Sequence, residues 1–295
     1  MNGILPLWKP KGMTSHDCVM KCRRLFKTRK VGHTGTLDPE VEGVLPICIG
    51  EATKIVPFLT DTKKTYIAEV KLGTATDTED AQGKVVEAKK VVTPIAENTI
   101  NEVLESFMGT ITQIPPMYSA VKVNGRKLYE YARANETVER PKREITIYDI
   151  QLLSLDTDSF KIKVLCSKGT YIRTLCVDIG KKLGYPAHMS ALVRTNTGSF
   201  SEKNTVTFAN IEEAAEINEQ ERLLVPIIHG VDHLAILDVD EVTTSKVMNG
   251  QKLPKPQQTI ETDPFLVMHE QQLLAIYQNH PDHPDQIKPV RVFNG

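Results

Sequence analysis

Several stretches of this chain alternate apolar with polar residues in the way that β-strands do. Residues 64–72 alternate regularly, which predicts a strand with one buried face. Residues 145–153 and 160–166 show a similar pattern close together and predict a pair of strands. Residues 3–8 form a short apolar run that predicts another strand, and the continuously apolar residues 44–49 predict a buried segment.

Helical signals lie between these strands. Thr14 is a candidate N-cap for a basic helix over residues 16–27. Residues 98–107 are amphipathic, and residues 170–183 predict a helix that ends at Gly184. The other predicted elements are a helix over 52–59, a polar loop over 73–83 and an acidic helix over 208–224. Because strands and helices mix without a strict βαβ repeat, we predict an α+β fold with helices around a mixed, largely antiparallel central sheet.

The pattern changes near residue 230. Residues 226–233 are expected to form a linker, and the chain beyond it consists of short β-type runs broken by glycine and proline. Such runs fit a small β-barrel. We therefore predict a first domain over residues 1–232 and a second, barrel-like domain over residues 233–295.

Basic residues are clustered although the chain is nearly neutral overall, with 36 basic and 37 acidic side chains. The first cluster lies in residues 1–30, where Asp17 is the one acid, and comprises Lys9, Lys11, Lys21, Arg23, Arg24, Lys27, Arg29 and Lys30. The second comprises Lys122, Arg126, Lys127, Arg133, Arg140, Lys142 and Arg143. Either cluster alone is typical of a solvated face, but the two together favour a surface that binds a polyanion such as RNA.

Neither a membrane protein nor a disulfide-rich secreted protein is indicated. No apolar run approaches the roughly 18 residues of a membrane span, and the N-terminus has no signal-peptide pattern. The five cysteines lack paired spacing, which favours reduced thiols and a cytoplasmic location. Cys18, Cys22 and His16 lie close in sequence, but a closed zinc site wants about four ligands, so no metal is expected.

Residues 32–50 form the segment with the most chemical interest. Gly32 and Gly35 allow tight backbone turns, and Pro39 stiffens the chain directly after Asp38. A carboxylate is thereby held on a rigid loop with His33 five residues before it, an arrangement that suits a catalytic site. The alternative is a glycine-rich turn in which Asp38 serves only as a turn or cap residue.

The residues of this loop also resemble a known motif. Residues 32–39 (Gly-His-Thr-Gly-Thr-Leu-Asp-Pro), followed by Gly-Val-Leu-Pro at 43–46, resemble the catalytic motif of the TruB family of pseudouridine synthases. The family usually has small or apolar residues in between, whereas here Glu40 and Glu42 add two negative charges. Further segments that resemble family motifs, in the same order, are 9–15, 64–66, 169–173 and 192–194.

This resemblance implies an activity and a set of site residues. The reaction would convert the T-loop uridine at position 55 of tRNA to pseudouridine without a cofactor. Asp38 would be the catalytic carboxylate, paired with Arg173, and Tyr66 would stack on the flipped uracil. Tyr171 would pack against the base or move a proton, and His33 would fill the gap left by flipped bases, or else only order its loop. The remaining residues expected at the substrate are Leu192, Lys9, Lys64, Asp80 and Arg194.

The resemblance also bears on partners. The tail would be a PUA domain that binds RNA, and the protein would act on the tRNA T-arm as a monomer without an obligatory protein partner. Members of the guide-RNA-directed branch of the family generally have a longer C-terminal region, so the short tail favours the stand-alone bacterial type.

Other functions compete with this reading. A phosphate-binding NTPase fails because no Gly-Lys-Ser/Thr follows the glycines. A glycosidase could use Asp38 and Glu40 as its two carboxylates, but it leaves Tyr66 and the basic clusters unexplained. A non-catalytic RNA-binding or RNA-chaperone protein would fit the basic clusters and the barrel-like tail.

Overall fold

The computed structural model describes residues 1–293. Its strands are β1 (Gly3–Lys9), β2 (Val31–His33), β3 (Glu42–Ile49), β4 (Lys64–Leu72), β5 (Thr74–Thr76), β6 (Val85–Ala88), β7 (Gly109–Gln113), β8 (Lys122–Val123), β9 (Arg126–Lys127), β10 (Arg143–Leu155), β11 (Ser159–Cys166), β12 (Ala187–Thr197), β13 (Phe200–Ser201), β14 (Ile236–Asp238), β15 (Leu253–Pro254), β16 (Phe265–His269), β17 (Gln272–Asn279) and β18 (Gln286–Val292). Its helices are α1 (Ser15–Leu25), α2 (Val56–Thr60), α3 (Glu97–Glu105), α4 (Leu128–Arg133), α5 (Ile172–Lys182), α6 (Phe208–Glu216) and α7 (Glu241–Met248).

One large sheet organises most of the chain. Its strand order is β1-β3-β12-β4-β11-β10-β7, with β2 added on β3 and β13 on β12. The pair β3–β12 is parallel and the other pairs in this sheet are antiparallel. The α5 residues Ile172, Leu175 and Ile179 pack into the same apolar core as the buried face of β4. The predicted α+β class with a mixed, largely antiparallel sheet is confirmed.

Helix α1 begins where the sequence places its cap. The Thr14 hydroxyl accepts from the Asp17 amide at 3.0 Å, and the Asp17 carboxylate accepts from the Thr14 amide at 2.9 Å. This reciprocal capping box satisfies two otherwise free donors of the first turn. Cys18 and Cys22, four residues apart, face the core and are fully buried. Burial raises the pKa of the Cys22 thiol to about 12, so both residues act as apolar packing groups.

Several pattern-based predictions were wrong. Residues 73–83, expected to be a polar loop, contain β5, which pairs with β6. The helix expected over 208–224 ends at Glu216, and Asn218 just beyond it has a left-handed φ of 57° that cannot continue a helix. The first half of the helix expected over 52–59 belongs to a 3-10 turn, Gly50–Ile55, and the second half belongs to the short α2.

The tail forms a second sheet of five strands in the order β14-β16-β17-β18-β15. Within residues 1–293 no pairing joins β14 to β15, so the predicted barrel is a half-barrel, with α7 beside it. Leu266, Ile276 and Phe293 of the tail share one apolar cluster with Ile4 and Ile55 of the first part of the chain. The two parts therefore have a common hydrophobic core where they meet.

None of the helices in residues 1–293 combines the length and the apolar character needed to cross a membrane.

Candidate active site

Most of the predicted site residues meet at one cavity of about 420 Å³. It lies where the Asp38 loop, β4, β12 and the start of α5 come together. The predicted residues that line it are Asp38, Lys64, Tyr66, Tyr171, Arg173, Leu192 and Arg194. Asp80 lines an adjoining cavity of about 280 Å³ that also reaches Asp38 and Arg173. Lys9 and His33 line neither of these cavities.

The Asp38 loop is fastened to the start of α1. The Leu37 amide donates to Ser15 Oγ at 2.9 Å, and Ser15 Oγ donates back to the Leu37 carbonyl at 3.2 Å. Gly35 has a φ of 135°, a conformation that side chains disfavour. The Val41 amide closes the turn by donating to the Asp38 carbonyl at 3.1 Å. The carboxylate is therefore presented by a loop held at both ends.

Lys9 supports this loop from behind. The side chain is fully buried, and its ammonium donates to the carbonyls of Pro10, Pro39 and Val41 at 2.9, 3.0 and 2.6 Å. All three donors are thus satisfied by main-chain carbonyls, two of which lie just after Asp38. The expected contact of Lys9 with substrate stays a prediction, while the structure shows that Lys9 holds the loop.

Arg194 and Lys64 line the cavity and also donate to main-chain carbonyls. Arg194 is 1% exposed, and it donates from Nε to the Val44 carbonyl at 2.8 Å and from Nη2 to the Gly35 carbonyl at 3.2 Å. The Lys64 ammonium donates to the carbonyls that end α2, and burial lowers its pKa to about 8. The sequence expected both at the substrate, and the structure gives both a supporting position in the cavity wall.

The predicted ion pair between Asp38 and Arg173 is present. Arg173 Nε lies 3.1 Å from Asp38 Oδ2, and Nη1 lies 3.9 Å from Asp80 Oδ2. The guanidinium also donates from Nη1 to the Thr78 carbonyl at 3.0 Å and from Nη2 to the Tyr118 carbonyl at 2.9 Å. Arg173 therefore contacts two further chain segments, the 78–80 turn and Tyr118, in addition to the Asp38 carboxylate.

The two partners of this ion pair differ in exposure. The Arg173 side chain is 7% exposed, whereas 42% of the Asp38 side chain is exposed, so Asp38 opens into the cavity. Burial still raises the pKa of the Asp38 carboxyl above its usual value, and the Arg173 guanidinium opposes that rise. Asp80 adds to the rise and Lys9 opposes it. The result is a carboxylate that is easier to protonate than an ordinary aspartate.

Tyr66 and Leu192 lie side by side in the wall of the cavity. In the pairing of β4 with β12, Tyr66 lies opposite Arg194 and Leu192 lies opposite Ala68, and both Tyr66 and Leu192 are 9% exposed. Burial raises the pKa of the Tyr66 phenol, which keeps it neutral at physiological pH. An aromatic ring beside an aliphatic side chain gives the cavity an apolar surface that suits a flat heterocyclic base.

Comparisons with known proteins agree with this geometry. Residues 23–172 match the N-terminal domain of TruB family pseudouridylate synthases, and residues 173–235 match the tRNA pseudouridylate synthase B C-terminal domain. The chain is 67% identical over 296 residues to a tRNA pseudouridine synthase B of Oceanobacillus iheyensis, and the alignment covers 99% of this chain and 98% of that protein.

The chain belongs to the TruB family of pseudouridylate synthases.

Two further relatives support the same assignment. A tRNA pseudouridine synthase B of Listeria innocua is 51% identical over 301 residues, covering 99% of this chain and 98% of that protein. Among solved structures, the crystal structure of a Cbf5-Nop10-Gar1 complex contains a chain that superimposes with a TM-score of 0.77. That chain is 27% identical, and the match covers 99% of this chain and 84% of that one.

Sequence reasoning missed three residues of this TruB-family site. Tyr118 and Tyr129 line the cavity, and the Gln113 side chain pins Tyr171 by accepting from its amide at 2.8 Å and donating to its carbonyl at 2.9 Å. The sequence feature that could have indicated the two tyrosines is the set of aromatic residues beside the second basic cluster. Gln113, 3% exposed at the end of β7, gave no chemical signal in sequence because its partners are main-chain atoms.

His33 has a local hydrogen bond that orders its loop. The Gly35 amide donates to His33 Nδ1 at 3.4 Å, and burial lowers the pKa of the imidazole. This contact is the one expected if His33 only orders its loop. Within residues 1–293, no three His, Cys, Asp or Glu side chains are grouped so as to hold a metal ion.

The first basic cluster is partly neutralised in the folded chain. Lys21 pairs with Glu212 at 2.8 Å, Lys30 with Glu51 at 3.6 Å, and Lys11 with Glu42 at 3.8 Å. Lys11 thus partly neutralises the negative charge that Glu42 adds near Asp38. The second cluster surrounds α4, where the guanidinium of Arg133 stacks on the ring of the cavity-lining Tyr129 at 5.2 Å.

Proposed function

We propose that this enzyme isomerises uridine 55 in the T-loop of tRNA to pseudouridine, by flipping the base into the cavity beside Asp38. The observation that carries the proposal is the Asp38–Arg173 pair in a cavity walled by Tyr66 and Leu192. The family of the chain and the names of its relatives support the same reaction.

The reaction is an isomerisation, and its balance needs no cofactor. The N1–C1′ bond of the nucleotide breaks, the uracil rotates, and a C5–C1′ bond forms. N1 gains a proton and the hydrogen of C5 leaves to solvent. One ionised carboxylate at the sugar–base junction suits this chemistry, and Asp38 supplies it. Base extraction costs a few kcal/mol, which contacts with Tyr66 and Leu192 would offset.

The decisive assay uses tRNA transcript tritiated at uracil C5. Release of tritium by the wild-type enzyme, and its loss when uridine 55 is replaced by cytidine, would support the proposal. Tight tRNA binding without release would favour the non-catalytic RNA-binding alternative. Release of free uracil would favour a glycosidase, since Asp38 and Glu40 both line the adjoining 280 Å³ cavity.

Tyr66→Ala is expected to lower kcat/KM for tRNA by about 10- to 100-fold, because stacking of a base on an aromatic ring is worth roughly 1–3 kcal/mol. Tyr66→Phe keeps the ring and should stay within about threefold of wild type. Steady-state tritium release measures both variants. An equal loss in Tyr66→Phe would contradict stacking and assign the effect to the hydroxyl.

The basic residues around α4 are proposed to contact tRNA phosphates. Lys122→Gln and Arg133→Gln should each reduce the slope of log Kd against log salt concentration by about 1, the value expected for one lost phosphate contact. Filter binding at several salt concentrations measures the slope, with Lys203→Gln as the control outside the cluster. Unchanged slopes in both variants would remove α4 from the RNA interface.

The tail and the mode of action are part of the same proposal. Residues 233–295 would form a PUA-like RNA-binding domain beside the catalytic domain at 1–232, and the protein would work in the cytoplasm as a monomer on the T-arm. The Oceanobacillus iheyensis relative, which this chain matches over 98% of that protein's length, is named tRNA pseudouridine synthase B.

A further inference from the structure

A strained turn next to the active site, residues 78–80, is hydrogen-bonded to helix α5. Glu79 has a φ of 65°, a left-handed conformation that is costly for a residue with a side chain. Its two neighbours in the chain both reach Arg173. The Thr78 carbonyl accepts from Arg173 Nη1 at 3.0 Å, and the Asp80 carboxylate lies 3.9 Å from the same nitrogen.

The side chain of Glu79 ties this turn to the residue that follows Arg173. Thr174 Oγ1 donates to Glu79 Oε2 at 2.6 Å, and Thr174 is 7% exposed. The main chain of Glu79 is held as well, because its carbonyl accepts from the Met189 amide of β12 at 3.0 Å. The turn is therefore attached to α5 by a side chain and to the sheet by its backbone.

The position of Glu79 is not explained by stability alone. Its carboxylate is largely buried, and this burial raises its pKa, while Thr174, Arg173 and Arg140 favour the ionised form. A left-handed backbone and a desolvated carboxylate both cost free energy. Costly backbone conformations persist where the surrounding structure holds them, and they cluster at functional sites. Here the neighbouring functional group is the Arg173 guanidinium, which pairs with Asp38.

We propose that Glu79 is a positioning residue, whose hydrogen bond with Thr174 holds the 78–80 turn so that Thr78 and Asp80 orient Arg173 toward Asp38. The proposal rests on the proposed function, since it assigns a role in the same reaction. Glu79 does not touch the substrate cavity. It acts through the angle and distance at which the guanidinium meets the carboxylate.

The test uses variants that separate the hydrogen bond from other properties. Glu79→Ala and Thr174→Val each remove the bond, and each is expected to lower kcat by about 10- to 100-fold, the range that a small misplacement of catalytic groups produces. KM for tRNA should not change. Glu79→Gln and Thr174→Ser retain an acceptor and a donor and should stay within about threefold of wild type. Glu87→Gln, an exposed glutamate on β6, is the matched control.

Two further measurements distinguish positioning from a loss of fold. Glu79→Gly relieves the left-handed backbone, so its melting temperature should equal or exceed that of Glu79→Ala while kcat stays equally low. The double variant Glu79→Ala/Thr174→Val should be no slower than the slower single variant, because both remove the same bond. The acid limb of the kcat profile should move to higher pH in Glu79→Ala, since a misplaced guanidinium stabilises the Asp38 carboxylate less.

The outcomes that overturn the proposal are specific. Wild-type kcat in Glu79→Ala or Thr174→Val, additive losses in the double variant, or a loss in Glu79→Gln as large as that in Glu79→Ala would each refute the positioning role. A wild-type enzyme that releases no tritium would instead refute the proposed function, so the two failures are distinguishable.

Discussion

Asp38→Asn is expected to lower the rate of tritium release by about 10⁴-fold or more, the size of loss that follows removal of a nucleophile or base. The amide keeps the shape of the side chain but can neither attack carbon nor accept a proton at neutral pH. Single-turnover release with excess enzyme measures the chemical step without interference from product release. Binding of tRNA should persist, because the loop is anchored by Ser15 and Lys9 rather than by the carboxylate.

The same variant should not lose stability. The pKa of Asp38 is raised in the folded protein, so the ionised carboxylate is disfavoured there relative to the unfolded chain at neutral pH. Replacing it with a neutral amide removes that cost but leaves the buried Arg173 guanidinium with the more distant Asp80 carboxylate, so the melting temperature should stay close to that of wild type. Asp158→Asn, an exposed aspartate paired with Lys71, is the control for a general carboxylate effect. A rate near wild type for Asp38→Asn would refute its catalytic role.

Arg173→Lys is expected to lower kcat by at least about 10²-fold, although the charge is retained. The guanidinium meets Asp38, Thr78 and Tyr118 with separate nitrogens, and a single ammonium cannot reach all three. Arg173→Ala should be slower still, and its free energy of unfolding should fall by about 1–3 kcal/mol because the partly buried acceptors on Asp38, Thr78 and Tyr118 lose their donor. Urea unfolding and single-turnover release measure the two effects.

The pH dependence gives a second readout for Arg173. Because burial raises the pKa of Asp38, the acid limb of wild-type kcat should lie above the value of about 3.9 for an ordinary aspartate. Arg173 lowers that pKa, so its removal should move the limb to higher pH. Arg222→Lys, at an exposed site paired with Glu219, is the control. An unmoved limb in Arg173→Ala would show that Asp38 does not govern it.

The reactive pair could be predicted from sequence, but the supporting residues could not. Asp38, Arg173 and Tyr66 stand in motifs whose resemblance indicates their chemistry. Lys9 and Arg194 stand in other motifs of the same family, and no pattern distinguishes a cation that faces substrate from one that holds the loop behind it. That distinction depends on burial and on carbonyl partners up to 159 residues away. The roles of Gln113 and Glu79 could not be predicted either, because their hydrogen-bond partners also lie far away along the chain.

The fold was predictable where periodicity was regular. Strand β4 has the predicted ends, and the burial of its residues alternates from Tyr66 to Leu72. Strand β12 was missed although it lies at the centre of the sheet. Its pairing with β4 shifts register between Met189 and Ala191 and again between Arg194 and Asn196. Each irregularity interrupts the two-residue period, so the side chains of β12 do not alternate as a pattern search requires.

The apolar cluster shared by the tail and the first part of the chain limits what a deletion experiment can show. Phe293, Ile276 and Leu266 cover Ile4 and Cys48, which lie on the paired strands β1 and β3. Strand β3 begins four residues after Asp38. A protein cut after residue 232 would expose this cluster to water and loosen the strand that carries the catalytic loop. Slow catalysis in such a truncation would be weak grounds for assigning RNA affinity to the tail, and substitutions on the outer surface of the half-barrel are the cleaner route.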